Sequence, residues 1–254
     1  MNIKEQLSLF VITKNEAANI KSCLESVKDL VGEMVVVDSH SQDGTLSICQ
    51  QFGATVFTRD FNGFTDQKNF ALAQVTKPWA LSLDADETLT PELADEIRAV
   101  LKHPDADGYE LGRLNSFLGK QMFHGGLKKE YILRLVRTNK AKYEGGLVHE
   151  KLVVSGPVKR LTHPFLHCSY TTIETYFEKF NKYTALAAET LFEKGKRYGV
   201  VRIILTPPFE FFRRYILRAG FLDGMHGLIW AAFSSFYTFV KYIKLWYLWQ
   251  RKQS

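Results

Sequence analysis

Short apolar runs alternate with segments of helical spacing over the first hundred residues, and this tempo leaves few folds open. "LSLFVIT" (7–13) reads as a buried strand. In "EAANIKSCLESVKDL", Ile20, Leu24, Val27 and Leu30 share one helical face. "EMVVVD" (33–38) is a second strand. "GTLSICQQFG" is a helix stopped by Gly53, and "ATVFT" is a third strand. "FTDQKNFALAQV" is a third helix and "WALSLD" (79–84) a fourth strand. Thr90 as N-cap and Pro91 at the first helical position open a helix in "TPELADEIRAVL". The alternation predicts an α/β fold, a mostly parallel sheet with helices on both faces. Ligands of such sheets bind at the carboxyl ends of the strands. That rule gathers Thr13, Asn15 and Glu16 after strand one. Asp38, Ser39, Ser41 and Asp43 follow strand two, and Asp84, Ala85 and Asp86 strand four.

Clustered carboxylates at a strand end repel one another unless positive charge sits between them. Hard oxygen ligands without Cys or His beside them suit Mg²⁺ or Mn²⁺. Mg²⁺ is usually held by one or two carboxylates together with substrate phosphates. "LSLDADE" therefore points to a metal-bridged diphosphate, or else to a polar loop before the Thr90 cap. The same stretch fits the apolar-D-x-D-x-T pattern of haloacid-dehalogenase-like phosphatases, with Asp84 as nucleophile. That chemistry needs a later acidic pair at a strand end. Asp95, Asp105, Asp107 and Asp223 do not supply it, so the hydrolase is the weaker alternative.

In "VVVDSHSQDGT", an aspartate ends a buried strand and Asp-Gly-Thr opens a helix whose N-terminus offers backbone donors. Taken together, "FVITKNEAANI", "VVVDSHSQDGT", "KNFA" and "LSLDADE" resemble, in order and spacing, the family 2 glycosyltransferases of GT-A (Rossmann-like) fold. The likeness is close over residues 7–100. "VHE" and "YILRAGFLDGMHGLIWA" are similar to the lipopolysaccharide core β-1,4-glucosyltransferases of Gram-negative bacteria. The resemblance implies that Thr13, Asn15 and Glu16 surround the nucleoside of a UDP-sugar, most simply UDP-glucose. Asp38 would pair with uracil, Lys68 would reach the nucleotide, Asp84 would touch ribose or metal waters, and Asp86 would ligate the metal. Many relatives carry Asp-Asp-Gly or Asp-Ser-Gly where this chain has Asp38-Ser39-His40. His40 is a donor-site contact or, more simply, a solvent-facing turn residue.

Inverting transfer needs a base for the acceptor hydroxyl and positive charge on the leaving diphosphate. "GGLVHEKL" offers the base. His149 and Glu150 point to opposite faces of a strand, so one of them faces the site. Relatives place such a pair on the acceptor side, which selects Glu150 as base and leaves His149 for metal or phosphate. The alternatives are a strand-surface His149 and an exposed Glu150 beside Lys151. Glu144 and Asp107 are the other candidate bases. Arg134 and Arg137 in "RLVRT" would bind phosphate or acceptor anions, or lie on a solvated face.

After residue 108 the pattern turns to antiparallel strands, then to a long amphipathic helix ending at Gly195. The expected organisation is a catalytic domain over 1–195, with a nucleotide-sugar half (1–100) and an acceptor half (101–170), and a tail over 196–254. That tail carries ten Lys/Arg against two Asp/Glu. The remainder carries 23 basic and 25 acidic residues, so the basic balance belongs to the tail. The tail's longest uncharged run, 224–240, has 17 residues, and Ser234, Thr238 and Lys241 share one helical stripe. This reads as an interfacial amphipathic helix on a membrane surface rather than a span. An oligomer interface or a helix packed on the body is the alternative, and the bulky apolar residues argue against nucleic acid. Cys23, Cys49 and Cys168 form no CxxC pair and read as reduced thiols. The apolar run near the N-terminus is too short for a signal peptide. The expectation is a metal-dependent inverting transferase of the lipopolysaccharide inner core, peripheral on the cytoplasmic side of the inner membrane. A non-catalytic nucleotide-sugar-binding protein is a further alternative.

Overall fold

The strand β1 (Leu7–Thr13) lies at the middle of a parallel set. Its residues alternate between two faces of the sheet. Leu9 and Val11 enter one core, with α1 (Ile20–Val27), α2 (Thr45–Gln51) and α4 (Pro91–Lys102), while Phe10 enters the other, with α3 (Phe64–Gln74). β2 (Glu33–Asp38), β3 (Thr55–Thr58) and β4 (Trp79–Ser82) complete the parallel set. Thr90 accepts a hydrogen bond from the Leu93 amide, as its cap position requires. The computed structural model describes residues 2–127, 129–145 and 150–253.

An antiparallel extension follows. It consists of β5 (Glu87–Leu89), β6 (Gly108–Phe117), β7 (Lys120–Gln121), β8 (Glu130–Arg137) and β11 (Val158–Tyr170). The order among the described residues is β3-β2-β1-β4-β8-β6-β11-β5, with β7 beside β6. β9 (Ala141–Gly145) and β10 (Glu150–Val154) form a separate ribbon. This is the expected α/β sheet with helices on both faces.

The chain forms two compact units, Met1–Arg113 with Glu130–His167, and Leu114–Lys129 with Cys168–Ser254. The second is mostly helical, with α5 (Ile173–Glu193), α6 (Val200–Phe212) and α7 (Gly224–Gln253). It takes in α5 and the segment 114–129 as well as the basic tail. Thr172 and Thr175 cap α5 reciprocally. Its core is aromatic: Phe117, Tyr176 and Phe180 pack with Trp230 and Phe233 of α7. Buried Asp223 accepts hydrogen bonds from the Phe123 and His124 amides and pairs with His124 Nδ1 at 3.1 Å. Among the described residues no helix is long and apolar enough to cross a membrane.

Candidate active site

In the first unit, β4 ends and the chain turns through Asp84, Ala85 and Asp86 into β5. This short strand was not foreseen, and it places Glu87 fully inside, 0% exposed. A buried carboxylate needs a partner. Arg134 supplies it from β8, 5% exposed, with Nη2 2.6 Å from Glu87 and 2.9 Å from Asp84 Oδ2. The other Asp84 oxygen lies 3.0 Å from Lys68 Nζ of α3. Lys68 in turn lies 3.1 Å from Glu150 at the start of β10. One chain of charges thus joins Glu87, Arg134, Asp84, Lys68 and Glu150.

The electrostatics follow from this order. Burial pushes the Asp84 carboxyl up, but Arg134 and Lys68 outweigh it and hold the group well below the usual carboxylate range. Glu87 is pushed up to about 7, chiefly by burial, with Arg134 opposing and Asp84 reinforcing. Burial disfavours the charged form of Lys68, yet Asp84 carries its pKa above the ordinary value. Around the cluster Tyr143 shares a hydrogen bond with Ser82 at 2.7 Å, and Asn69 clamps the Tyr143 backbone through both its amide atoms. The "KNFA" stretch therefore supplies one cation to the site and one clamp to its wall. Lys68, Asp84, Arg134, Tyr143 and Glu150 line a cavity of about 340 Å³.

The nucleoside loop is ordered by its own side chains. Asp38 is 0% exposed and accepts from the Ser41 amide at 2.8 Å and the Ser41 hydroxyl at 2.5 Å. These bonds shape the turn after β2. Asn15, at φ 54°, accepts from the Gln42 amide, and its own amide donates to Ser41 Oγ. Glu16 donates its amide to Thr45 and accepts from Asn19. Gln67, absent from the sequence expectations, donates to Ser39. Among the described residues two buried atoms here lack partners, Thr13 Oγ1 and Gln67 Oε1, both in the neighbourhood of Ser39. His40 is a turn residue at the surface, paired with Asp60 at 2.9 Å.

Further expectations change. Arg134 is buried rather than solvated, and its guanidinium pairs with Glu87 and Asp84. Arg137 belongs elsewhere. β8 runs antiparallel to β4 with Arg137 opposite Trp79, at the strand end remote from Asp84. There it pairs with Asp107 at 2.9 Å, and Lys140 joins on the other carboxylate oxygen. That engagement removes Asp107 as a base. Glu144 is exposed and pairs with Lys142. His149 lies outside the described residues.

Among the described residues no group of three His, Cys, Asp or Glu side chains could hold a metal. A smaller donor set is present. Asp86 Oδ2 and His167 Nε2 face each other at 3.4 Å, both partly accessible. A carboxylate and an imidazole fit a divalent ion completed by substrate oxygens. Asp84, with both oxygens in ion pairs, fits that role less well. Nothing in the spacing pointed to His167, which arrives on β11 from 81 residues downstream.

Residues 8–148 match Glycosyl transferase family 2. The chain is a family 2 glycosyltransferase. It is 32% identical over 251 residues to the lipopolysaccharide core biosynthesis glycosyltransferase LpsC of Rhizobium meliloti (strain 1021), covering 96% of this chain and 93% of that one. It is 30% identical over 253 residues to an uncharacterized glycosyltransferase of Rickettsia felis, covering 95% and 89%. Among solved structures, S. aureus TarS in complex with UDP-GlcNAc aligns over 92% of this chain and 81% of that one, at 16% identity and a TM-score of 0.48. Membership in the family removes the phosphatase reading of Asp84. The sheet of the first unit is the GT-A arrangement.

Proposed function

We propose that this glycosyltransferase is inverting and metal-assisted, and moves glucose from UDP-glucose onto the inner core of lipopolysaccharide at the cytoplasmic face of the inner membrane. The observation that carries the chemistry is Lys68, whose ammonium lies 3.0 Å from Asp84 and 3.1 Å from Glu150. It links the donor end of the cavity to the candidate base. In the reaction an acceptor hydroxyl oxygen bonds to the sugar C1 while the bond from C1 to the diphosphate breaks. The electron pair leaves on UDP, and the hydroxyl proton passes to the Glu150 carboxylate. Displacement on an α-linked donor gives a β-linked product. Lys68 places positive charge where the leaving diphosphate gains negative charge. A divalent ion held by Asp86 and His167 would supply further positive charge at the diphosphate.

The lipopolysaccharide acceptor is supported by the similarity to LpsC. Membrane attachment is supported by the second unit, where Val200, Val201, Leu205, Phe209, Leu217 and Met225 are all exposed. Large exposed apolar patches mark interaction surfaces, and the tail's basic excess suits anionic lipid. The decisive test is calorimetric titration of UDP with Mn²⁺ and with chelator, in the wild type and in Asp86→Ala. Metal-dependent binding lost in the variant is the expected result. UDP binding that ignores both metal and substitution would remove the metal from the mechanism, and no UDP binding at all would remove the donor assignment.

A further inference from the structure

The second unit is built with its polar side chains turned in. Along α7, Trp230, Ser234, Tyr237, Thr238 and Lys241 recur at helical spacing, and Ser234 and Thr238 are only 7% and 8% exposed. The stripe expected to face water or headgroups instead lines a cavity of about 540 Å³ shared with α5, α6 and the turn after α6. On other sides of α7, Phe236, Phe239 and Trp246 are exposed.

The lining of this cavity is rich in cations and donors and short of acceptors. Glu210 is its one carboxylate, and it is already held by Arg213 at 2.5 Å and Arg214 at 2.6 Å. That leaves a net positive wall. Lys241 makes no hydrogen bond or ion pair among the described residues. Its ammonium rests 5.0 Å from the Tyr242 ring and 5.9 Å from the Tyr237 ring. Burial lowers its pKa, with Glu210 opposing and Arg202 reinforcing. The indole N–H of Trp230 and Nε of Arg213 are buried donors with no acceptor among the described residues. Buried donors are rarely left unpaired, so these two, with the half-buried Lys241 ammonium beside them, point to an anionic, acceptor-rich ligand for the cavity. The walls are aromatic faces with polar tips, a surface that suits a ring with one apolar face and a rim of hydroxyls. The volume falls in the range of small-molecule sites.

We propose that this cavity of the helical unit binds a sugar bearing a phosphate group. Lys241 and Arg213 would receive the anion, and the Tyr237 and Trp230 rings the sugar. The site stands on its own geometry and rests on the transferase reading only for where such a sugar would come from, namely an acceptor glycan.

The test is calorimetry on the full chain with UDP and Mn²⁺ present at saturation. The titrants are glucose 6-phosphate, glucose, inorganic phosphate, and a bisphosphorylated glucosamine disaccharide with and without acyl chains. The same titrations are run on Lys241→Met and Arg213→Gln, with circular dichroism and UDP affinity as folding controls. The expected result is that at least one phosphosugar binds, with glucose and phosphate at least about tenfold weaker and each variant weakened by a similar factor. Preference for the acylated disaccharide assigns a lipid-borne source, and equal binding of glucose 6-phosphate assigns a soluble one. No binding of any phosphosugar at about 10 mM, or binding unchanged in both variants, overturns the proposal. A failure here with UDP binding intact leaves the transferase reading standing, whereas loss of UDP binding strikes that reading instead.

Discussion

Arg134→Met isolates the electrostatic logic of the active site. Methionine keeps the apolar stem of the side chain and removes the guanidinium from between Glu87 and Asp84. Near pH 7 the loss is that of hydrogen bonds to charged groups, about 1–2 kcal/mol, with Asp84 still held by Lys68. Above pH 7 the loss should grow, for a reason set by Glu87. Its native carboxyl titrates at about 7 against an ordinary 4.5. A carboxyl with a raised native pKa binds its proton more tightly folded than unfolded. Stability from this group is therefore present below pH 4.5 and falls as pH rises to about 7, where the wild type releases the proton and the fall stops. Without Arg134 the Glu87 pKa rises further, so the variant keeps its proton and continues to lose about 1.4 kcal/mol per pH unit. Between pH 7 and pH 9 the gap between variant and wild type should widen by about 2 kcal/mol, because the wild type still sheds its last half proton there, reaching roughly 3–4 in all, in line with breaking a buried ion pair. Urea denaturation at pH 6, 7, 8 and 9 measures it. Adding Glu87→Gln to the variant should abolish the widening. A loss under about 1 kcal/mol that is independent of pH would refute the buried-triad account.

Three other outcomes follow from named contacts. Glu150→Gln should cut transfer at least about a hundredfold while UDP affinity, read by calorimetry, stays within a factor of about two; parallel loss of both would make Glu150 a binding residue. Gly32→Ala should destabilise the first unit by more than about 2 kcal/mol in urea denaturation, because an added Cβ would lie 1.8 Å from the Lys4 carbonyl oxygen. Asp223→Ala should cost about 3 kcal/mol, since it leaves the Phe123 and His124 amides without their acceptor; hydrogen exchange at those two amides should rise with it.

Much of the first unit was legible because its signals are local. The strand at 7–13, the strand at 33–38 and the Thr90 cap each lie within a few residues of the features that announce them. The rule that sheet ligands collect at strand ends then pointed to Asp84, and the family resemblance added Lys68 and Glu150. What stayed hidden depends on antiparallel register and on distance along the chain. Arg134 and Arg137 look alike in "RLVRT", yet the register of β8 against β6 skips Arg134, the extra residue of a bulge, and the pairing with β4 carries Arg137 to the other strand end. Arg134 did leave a trace. A charged residue inside "YILRLV" requires a buried partner, and Glu87 beside the D-x-D stretch was available. Asp38 shows the converse limit. Its residue type suited base recognition, and nothing in the spacing announced the two hydrogen bonds from Ser41 by which it also shapes its own turn.

The tail shows a different limit, one of sign rather than of position. A helical stripe of Ser234, Thr238 and Lys241 among aromatic residues has the same period whether the stripe faces water or a neighbouring helix, because periodicity records only that two faces differ. The choice between them is made by the partners. Glu210 and Arg213 sit near the end of α6, Tyr176 and Tyr183 on α5, and together they give the stripe something polar to meet. Once the polar groups are spent inward, the apolar side chains of α6 and the start of α7 have no core left to enter, and Val201, Leu205 and Met225 stay outside. The polar cavity and the apolar exterior are therefore one consequence of the same packing. A substitution that fills the cavity, such as Ser234→Leu, should weaken phosphosugar binding and leave attachment to anionic vesicles unchanged. Leu205→Glu should do the reverse. Loss of both properties in either variant would mean that the two faces do not act separately.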